Sequence, residues 1–349
     1  MKPFFLWLCF AFGLALPVGA VARAGMPPML HVAGNRLKDG HGHPVRLQGV
    51  NIPSLEWRSD GDHVLESVQA AMVGWKANVI RLPLSQDRWF GQADSRNDGG
   101  AAYRKRVDDV VAAIAAHGGY VVLDCHWSDL GNWGHNIGQH KMPDLNSLFF
   151  WQDVAKRYAN HPAVLFDLYN EPRDVAWDVW QHGGTVTEQD ASKNEVTYQS
   201  PGMQGLVDAV RGTGAKNLLV AGGLDCAYDL TGIMQGHALS DPGGNGIMYA
   251  THIYPWKGAS HVNWDAHVTI AADKYPIFVG EVGCEPDPKQ PDPTTWAPKV
   301  LDYINQHGFN WTAWSFHTSA SPCLLADWNY APTPYWGKFV KDDLATGRK

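Results

Sequence analysis

Eight short apolar runs, most of them followed by a stretch of helical period, recur along this chain, and no other feature constrains its fold as much. The runs are 46–52, 78–84, 120–126, 164–170, 217–222, 247–254, 276–282 and 310–316. Helical patterns occupy 63–75, 103–116, 148–158, 203–211, 262–273 and 295–306, with a last one at 335–344; after Ala221 there is only a short one, 230–234. Strand and helix in repeated alternation require a parallel sheet. Eight repeats predict that the sheet closes, giving an α/β fold of the (β/α)8 TIM-barrel type. The chain has 349 residues, 45% apolar and 18% charged, which excludes a disordered or fibrous protein. No low-complexity linker interrupts residues 25–349, so they are expected to form one domain.

The loops carry a second signal. Connections from helix into strand are two to five residues long, whereas those from strand into helix run long, at 85–102, 127–146, 172–201 and 284–293. One end of the barrel is therefore plain and the other elaborated, as expected if the carboxyl ends of the strands carry a site. Polar groups collect at those ends, where a core needs none. Arg81 closes the second run, Asp124 and His126 the third, and Asn170 and Glu171 the fourth. His252 and Tyr254 close the sixth, Glu281 closes the seventh and Trp314 lies in the eighth. Glu171 and Glu281, at the ends of strands four and seven, would face each other across the barrel mouth. Two carboxyl groups flanking one bond are the equipment of a glycosidase, in which one protonates the leaving oxygen and the other attacks the anomeric carbon. Arg81 near Glu281 would keep it ionised, and the like charge of Glu281 would raise the pKa of Glu171.

Asn170-Glu171-Pro172, Val279-Gly280-Glu281, Ile80-Arg81-Leu82-Pro83, Asp124-x-His126, His252-x-Tyr254 and Trp314, in that set, resemble glycoside hydrolase family 5, the cellulase and mannanase family of clan A. The resemblance covers nearly all of the chain after the leader. It implies a retaining enzyme with Glu171 as acid/base and Glu281 as nucleophile. It further implies that Asn170 bonds the sugar 2-hydroxyl, that Arg81 and Tyr254 orient Glu281, that His126 and His252 line the subsite and that Trp314 is its floor.

The chain has 16 tryptophans, too many for core packing alone. Trp57, Trp89, Trp127, Trp133, Trp177, Trp180 and Trp256 fall in or beside the strand-to-helix loops, where indole rings can stack on sugar faces. Trp57, Trp133 and Trp256 are the leading candidates for substrate platforms. The 16 histidines include no His-Glu-x-x-His and no zinc-like spacing, so no metal is expected. The absence of Gly-x-Gly-x-x-Gly after a strand leaves a nucleotide cofactor unsupported, and the absence of Gly-x-Ser-x-Gly disfavours a nucleophile-elbow esterase.

Residues 1–24 read as a secretory signal, with Lys2, an apolar run over 4–16 and Ala22-Arg23-Ala24 before the cut. Its removal takes two cations and no acid, moving the net charge from -7 to -9. Nothing in that balance suggests nucleic acid or a membrane surface as partner. A secreted monomer acting on a polysaccharide or oligosaccharide, without cofactor, is expected. Four cysteines remain after the leader. Cys284 and Cys323 follow neighbouring strands and are expected to bond, whereas Cys125, between Asp124 and His126, should be a buried thiol. The favoured activity is endo-β-1,4-glucanase. A β-mannanase, a β-1,3-glucanase, a non-catalytic carbohydrate-binding barrel and a metal-dependent hydrolase are the alternatives.

Overall fold

The computed structural model describes residues 25–93, 98–129, 138–258 and 260–347. Residues 1–24, read above as a secretory signal, and Trp133 lie outside the described residues. Eight parallel strands close into a barrel: β1 (Gln48–Asn51), β2 (Val79–Ser85), β3 (Tyr120–Trp127), β4 (Val164–Asp167), β5 (Leu219–Gly222), β6 (Ile247–Ile253), β7 (Ile277–Val282) and β8 (Asn310–Ala313). Each falls within one of the eight apolar runs or within a residue or so of it. Their fully buried pattern is the reason: strands covered by helices outside and packed side chains inside have no wet face to encode.

Alternation still separates the two sides. Val122, Val220, Met248, Ala250 and Phe278 fill the barrel interior, while Val121, Leu123, Leu219, Ala221, Tyr249, Ile277 and Val279 join the layer beneath the helices. Continuing the interior series along β3 from Val122 reaches Asp124 and then His126, so packing side chains give way to functional ones at the carboxyl end. Cys125 belongs to the outer layer and is a buried free thiol, as expected.

The opposite end is closed by a three-stranded sheet (Leu30–Ala33, Arg36–Asp39 and Pro44–Val45), whose Leu30 and Leu37 pack into the interior cluster. The helices sit where their patterns predict, including Ala101–Ala116, Leu145–Arg157, Gly202–Arg211 and Pro293–His307. Asp144 caps one of them, accepting from the Ser147 amide at 3.1 Å, and Asp292 caps another ahead of Pro293. The stretch 172–201 is not a plain loop. It holds a short helix, Trp177–His182, and an antiparallel hairpin, Gly184–Gln189 with Glu195–Ser200.

The expected disulfide is absent: Cys284 and Cys323 are both buried free thiols. The segment bearing Cys323 is held by its own hydrogen bonds, with Ser315 N donating to Pro322 O and Leu324 N to Ser315 O. Neighbouring loops therefore do not make paired sulfurs here.

Candidate active site

Strand register brings the polar residues together. Asn51 lies opposite Arg81, and Asp124 opposite Asp167. On the far side, a register shift between Thr251 and His252 passes over Gly280 and aligns His252 with Glu281. A Cβ at Gly280 would stand 3.0 Å from His252 Nε2, so the glycine of Val279-Gly280-Glu281 leaves room for that ring.

Arg81 is fully buried and donates in several directions. Its Nη1 reaches Glu281 Oε1 at 2.9 Å and Asn51 Oδ1 at 3.1 Å. Its Nε reaches Asp167 Oδ2 at 2.8 Å, and its Nη2 reaches Asn170 Oδ1 at 2.8 Å and lies 3.0 Å from Asp124 Oδ2. Burial disfavours its charge, but Asp124, Asp167 and Glu281 outweigh that and raise its pKa. Asp124 and Asp167 are pushed up by burial, with Arg81 opposing the rise. Tyr254 donates to the other oxygen of Glu281 at 2.6 Å. Glu281 is thus gripped on both oxygens, by a cation and a phenol.

Glu171 sits otherwise. Its side chain keeps 24% of its surface exposed, and its Oε1 lies 3.0 Å from His252 Nδ1. Its pKa is raised, and the expected direction is correct while the expected cause is not. Burial against the barrel wall is the largest effect, opposed by His126, Arg173, Arg81 and Lys257; the charge of Glu281 is not among the leading causes. Burial also holds His252 down to about 3 and His126 down to about 4, in each case against the charge of Glu281. Both imidazoles are therefore neutral near pH 7. With its proton on Nδ1, His126 donates to Asp124 Oδ2 at 2.7 Å, and its Nε2 faces Asn170 Nδ2 at 3.4 Å. Trp314 stacks on the His126 ring at 5.5 Å and 10°.

Glu171, His252 and Glu281 each offer a ligand atom within 4.8 Å of the others, and they are the one group of three potential metal ligands among the described residues. Hydrogen bonds already account for that clustering: Arg81 and Tyr254 occupy both Glu281 oxygens, and His252 faces Glu171.

The residues expected at the site, Glu171, Glu281, Arg81, His126, Asn170, His252, Tyr254 and Trp314, are brought together. The loop tryptophans divide. Trp89 and Trp180 are fully buried and donate to Asp153 and to the Gly222 carbonyl, so they pack the loops rather than face a ligand. Trp57 is half-buried beside Trp127 at 6.4 Å and His317 at 5.6 Å. Trp256 is 57% exposed and lies parallel to Tyr254, 4.5 Å away. Asn51, Asp167 and Gln139 were not anticipated as part of the site. For Asp167 there was a signal, an acid inside an apolar run.

A closed parallel barrel with two glutamates meeting at its carboxyl end belongs among the barrels that carry a carboxylate pair. The family model described as cellulase (glycosyl hydrolase family 5) matches residues 38–320, and the chain belongs to that family. It is 25% identical over 296 residues to endoglucanase E-5 of Thermobifida fusca, an alignment covering 82% of this chain and 55% of that protein. To endoglucanase MaCel5A of a Microbulbifer species it is 25% identical over 343 residues, covering 93% and 59%. The chain thus spans little more than half the length of these relatives. A β-glucanase of Saccharophagus degradans, solved with cellotetraose, has the same fold at a TM-score of 0.72 and 24% identity, covering 93% of this chain and 94% of that one.

Proposed function

We propose that the protein is a secreted, retaining endo-β-1,4-glucanase with Glu281 as nucleophile and Glu171 as acid/base. The observation that carries the reading is the unlike setting of two glutamates whose oxygens approach within 4.8 Å. Retaining enzymes hold their carboxyl groups about 5 to 5.5 Å apart, whereas inverting ones leave about 6.5 to 9.5 Å for a water. Glu281, oriented by Arg81 and Tyr254, attacks the anomeric carbon while the raised-pKa carboxyl of Glu171 gives its proton to the leaving oxygen. In the second step Glu171 takes a proton from water, and that water displaces Glu281 from the sugar. Asn170, turned by its bond to Arg81, offers its amide to the 2-hydroxyl.

A β-glucan as substrate accords with the names of the relatives and with the cellotetraose in the structural neighbour. Exposed Trp256 and half-buried Trp57 would stack sugars on either side of the carboxylate pair, which favours cutting within a chain. The leader 1–24 supports export, and no helix among the described residues is long and apolar enough to cross a membrane. The test is proton NMR of the first product from a β-linked cellooligosaccharide, beside Glu171→Ala and Glu281→Gln. Retention is expected, with azide restoring turnover of an activated aryl cellobioside in Glu171→Ala alone. Initial α-anomer, or azide rescue of neither variant, would overturn the assignment.

A further inference from the structure

The segment entering the helix Leu145–Arg157 runs beside the acid/base glutamate and is bound at several points to the strip of chain from Asn170 to Arg173. Gln139, half-buried there, accepts from Asn170 Nδ2 on its Oε1 at 3.2 Å, and its Nε2 donates to the Glu171 carbonyl at 3.4 Å. Arg173 joins the same two strips of chain. Its Nη2 donates to Gln139 O at 2.8 Å, and its Nη1 to His140 O at 3.2 Å and Glu171 O at 3.3 Å. Its amide donates to Lys141 O at 3.0 Å.

The next residue explains why this segment holds its place. His140 is fully buried among three carboxylates from separate places in the chain. Its Nδ1 bonds Glu188 of the hairpin Gly184–Ser200, and its Nε2 lies 3.3 Å from Asp129 Oδ2 and 3.8 Å from Asp144 Oδ2. Tyr198 of the same hairpin packs on the ring at 4.7 Å, accepts from Met142 N at 3.0 Å and donates to Met142 O at 2.9 Å. Tyr169 donates to His140 O at 2.9 Å. Burial opposes a charge on the ring, yet the neighbouring carboxylates of Asp129 and Glu188 prevail and lift its pKa to about 9. An imidazolium thus occupies the centre of the three carboxylates.

We propose that Gln139 is a positioning residue for the reaction, setting the amide of Asn170 and the peptide of Glu171, with His140 and the hairpin as its anchor. The proposal rests on the acid/base reading of Glu171. Asn170 presents its Oδ1 to Arg81, and Gln139 takes one of its two amide hydrogens, so the rotamer has no freedom to turn over. The other amide hydrogen is left only the longer contact with His126 Nε2, at 3.4 Å, which a sugar hydroxyl would replace. A small rotation at this point moves a group that must meet the sugar within hydrogen-bond reach, and displacements of that kind cost rate rather than fold. On this view the hairpin is more than a covering for the barrel: its inward Glu188 and Tyr198 hold the segment that aims Asn170.

Gln139→Met keeps the length of the side chain and removes both of its polar contacts. On cellooligosaccharides we expect kcat to fall about ten-fold or more while KM stays within about two-fold and the melting temperature is unchanged. Gln139→Glu restores the acceptor for Asn170 and brings a negative charge beside Glu171. It should recover part of the kcat lost in Gln139→Met and move the alkaline limb of kcat/KM to higher pH. Wild-type kcat in Gln139→Met, a loss confined to KM, or a Gln139→Glu that shows neither recovery nor a shifted limb would overturn the proposal. Glu171→Ala, measured alongside with an activated aryl cellobioside and azide, tests the parent reading by itself, so failure there is distinguishable from failure at Gln139.

Discussion

The charge on His140 should be visible as a pH dependence of stability. In the folded protein its pKa is raised to about 9 from the ordinary 6.5, chiefly because Asp129 and Glu188 outweigh the cost of burial. The stabilisation is therefore complete below about pH 6.5 and is lost as pH rises through about 9. A shift of that size corresponds to about 3 kcal/mol at full extent, taking about 1.4 kcal/mol per pH unit. With an unfolding entropy of about 2 cal/mol/K per residue, a chain of this length loses about 5 °C of melting temperature for that energy. Scanning calorimetry from pH 6 to pH 10 would measure it, with Glu188→Gln as the comparison. Removing that carboxylate lowers the pKa of His140 in the folded protein, so the alkaline fall should be smaller and should level off at lower pH. Wild type and variant falling in parallel across the range would refute the reasoning, because the alkaline loss would then come from other groups.

Tyr254→Phe should lower kcat/KM about 10- to 100-fold with the fold intact, since a hydrogen bond to a charged group contributes about 1.5 to 3 kcal/mol; steady-state kinetics and circular dichroism check both halves. Trp256→Ala should leave the melting temperature nearly unchanged, because the ring is 57% exposed, yet reduce the gain in kcat/KM with oligosaccharide length and spare a short aryl glycoside. Thiol titration of residues 25–349, unfolded without reductant, should find Cys125, Cys226, Cys284 and Cys323 all free. A count of two would restore the bond between Cys284 and Cys323.

What was legible in the sequence depends on how locally it was determined. A barrel strand buried on both sides must be a continuous apolar run, so β2, β3 and β6 announce themselves. The carboxylates stand out for the complementary reason, since Glu171 and Glu281 come where such a run stops being apolar. The hairpin over 184–200 was hidden because its buried face includes Glu188, a charge that reads as surface until His140 is placed against it. The small sheet at the closed end was missed for its brevity, with strands of four, four and two residues. Gln139 and Asn51 carry no local signal, because they matter only through partners far away in the chain. The cysteines show the opposite error: proximity of two loops was legible, but not that both thiols stay free.

The chemical difference between the two glutamates is not a property of either residue or of its neighbours in sequence. Arg81 makes the difference, and it can do so because a guanidinium presents several donors in a fixed plane. One group orients Glu281 through Nη1, turns Asn170 through Nη2 and is itself held by Asp124 and Asp167. An ammonium could supply the charge but not those directions. The two buried aspartates, which would otherwise be a liability in a barrel wall, fix the cation and are in turn made tolerable by it. Glu171 lies beyond the reach of the Arg81 donors, faces a neutral imidazole and keeps part of its surface in water. Glu171 and Glu281 are thus set apart by which of them the buried arginine can touch, and that is decided by the register of β2 against β1, β3 and, through them, the rest of the barrel.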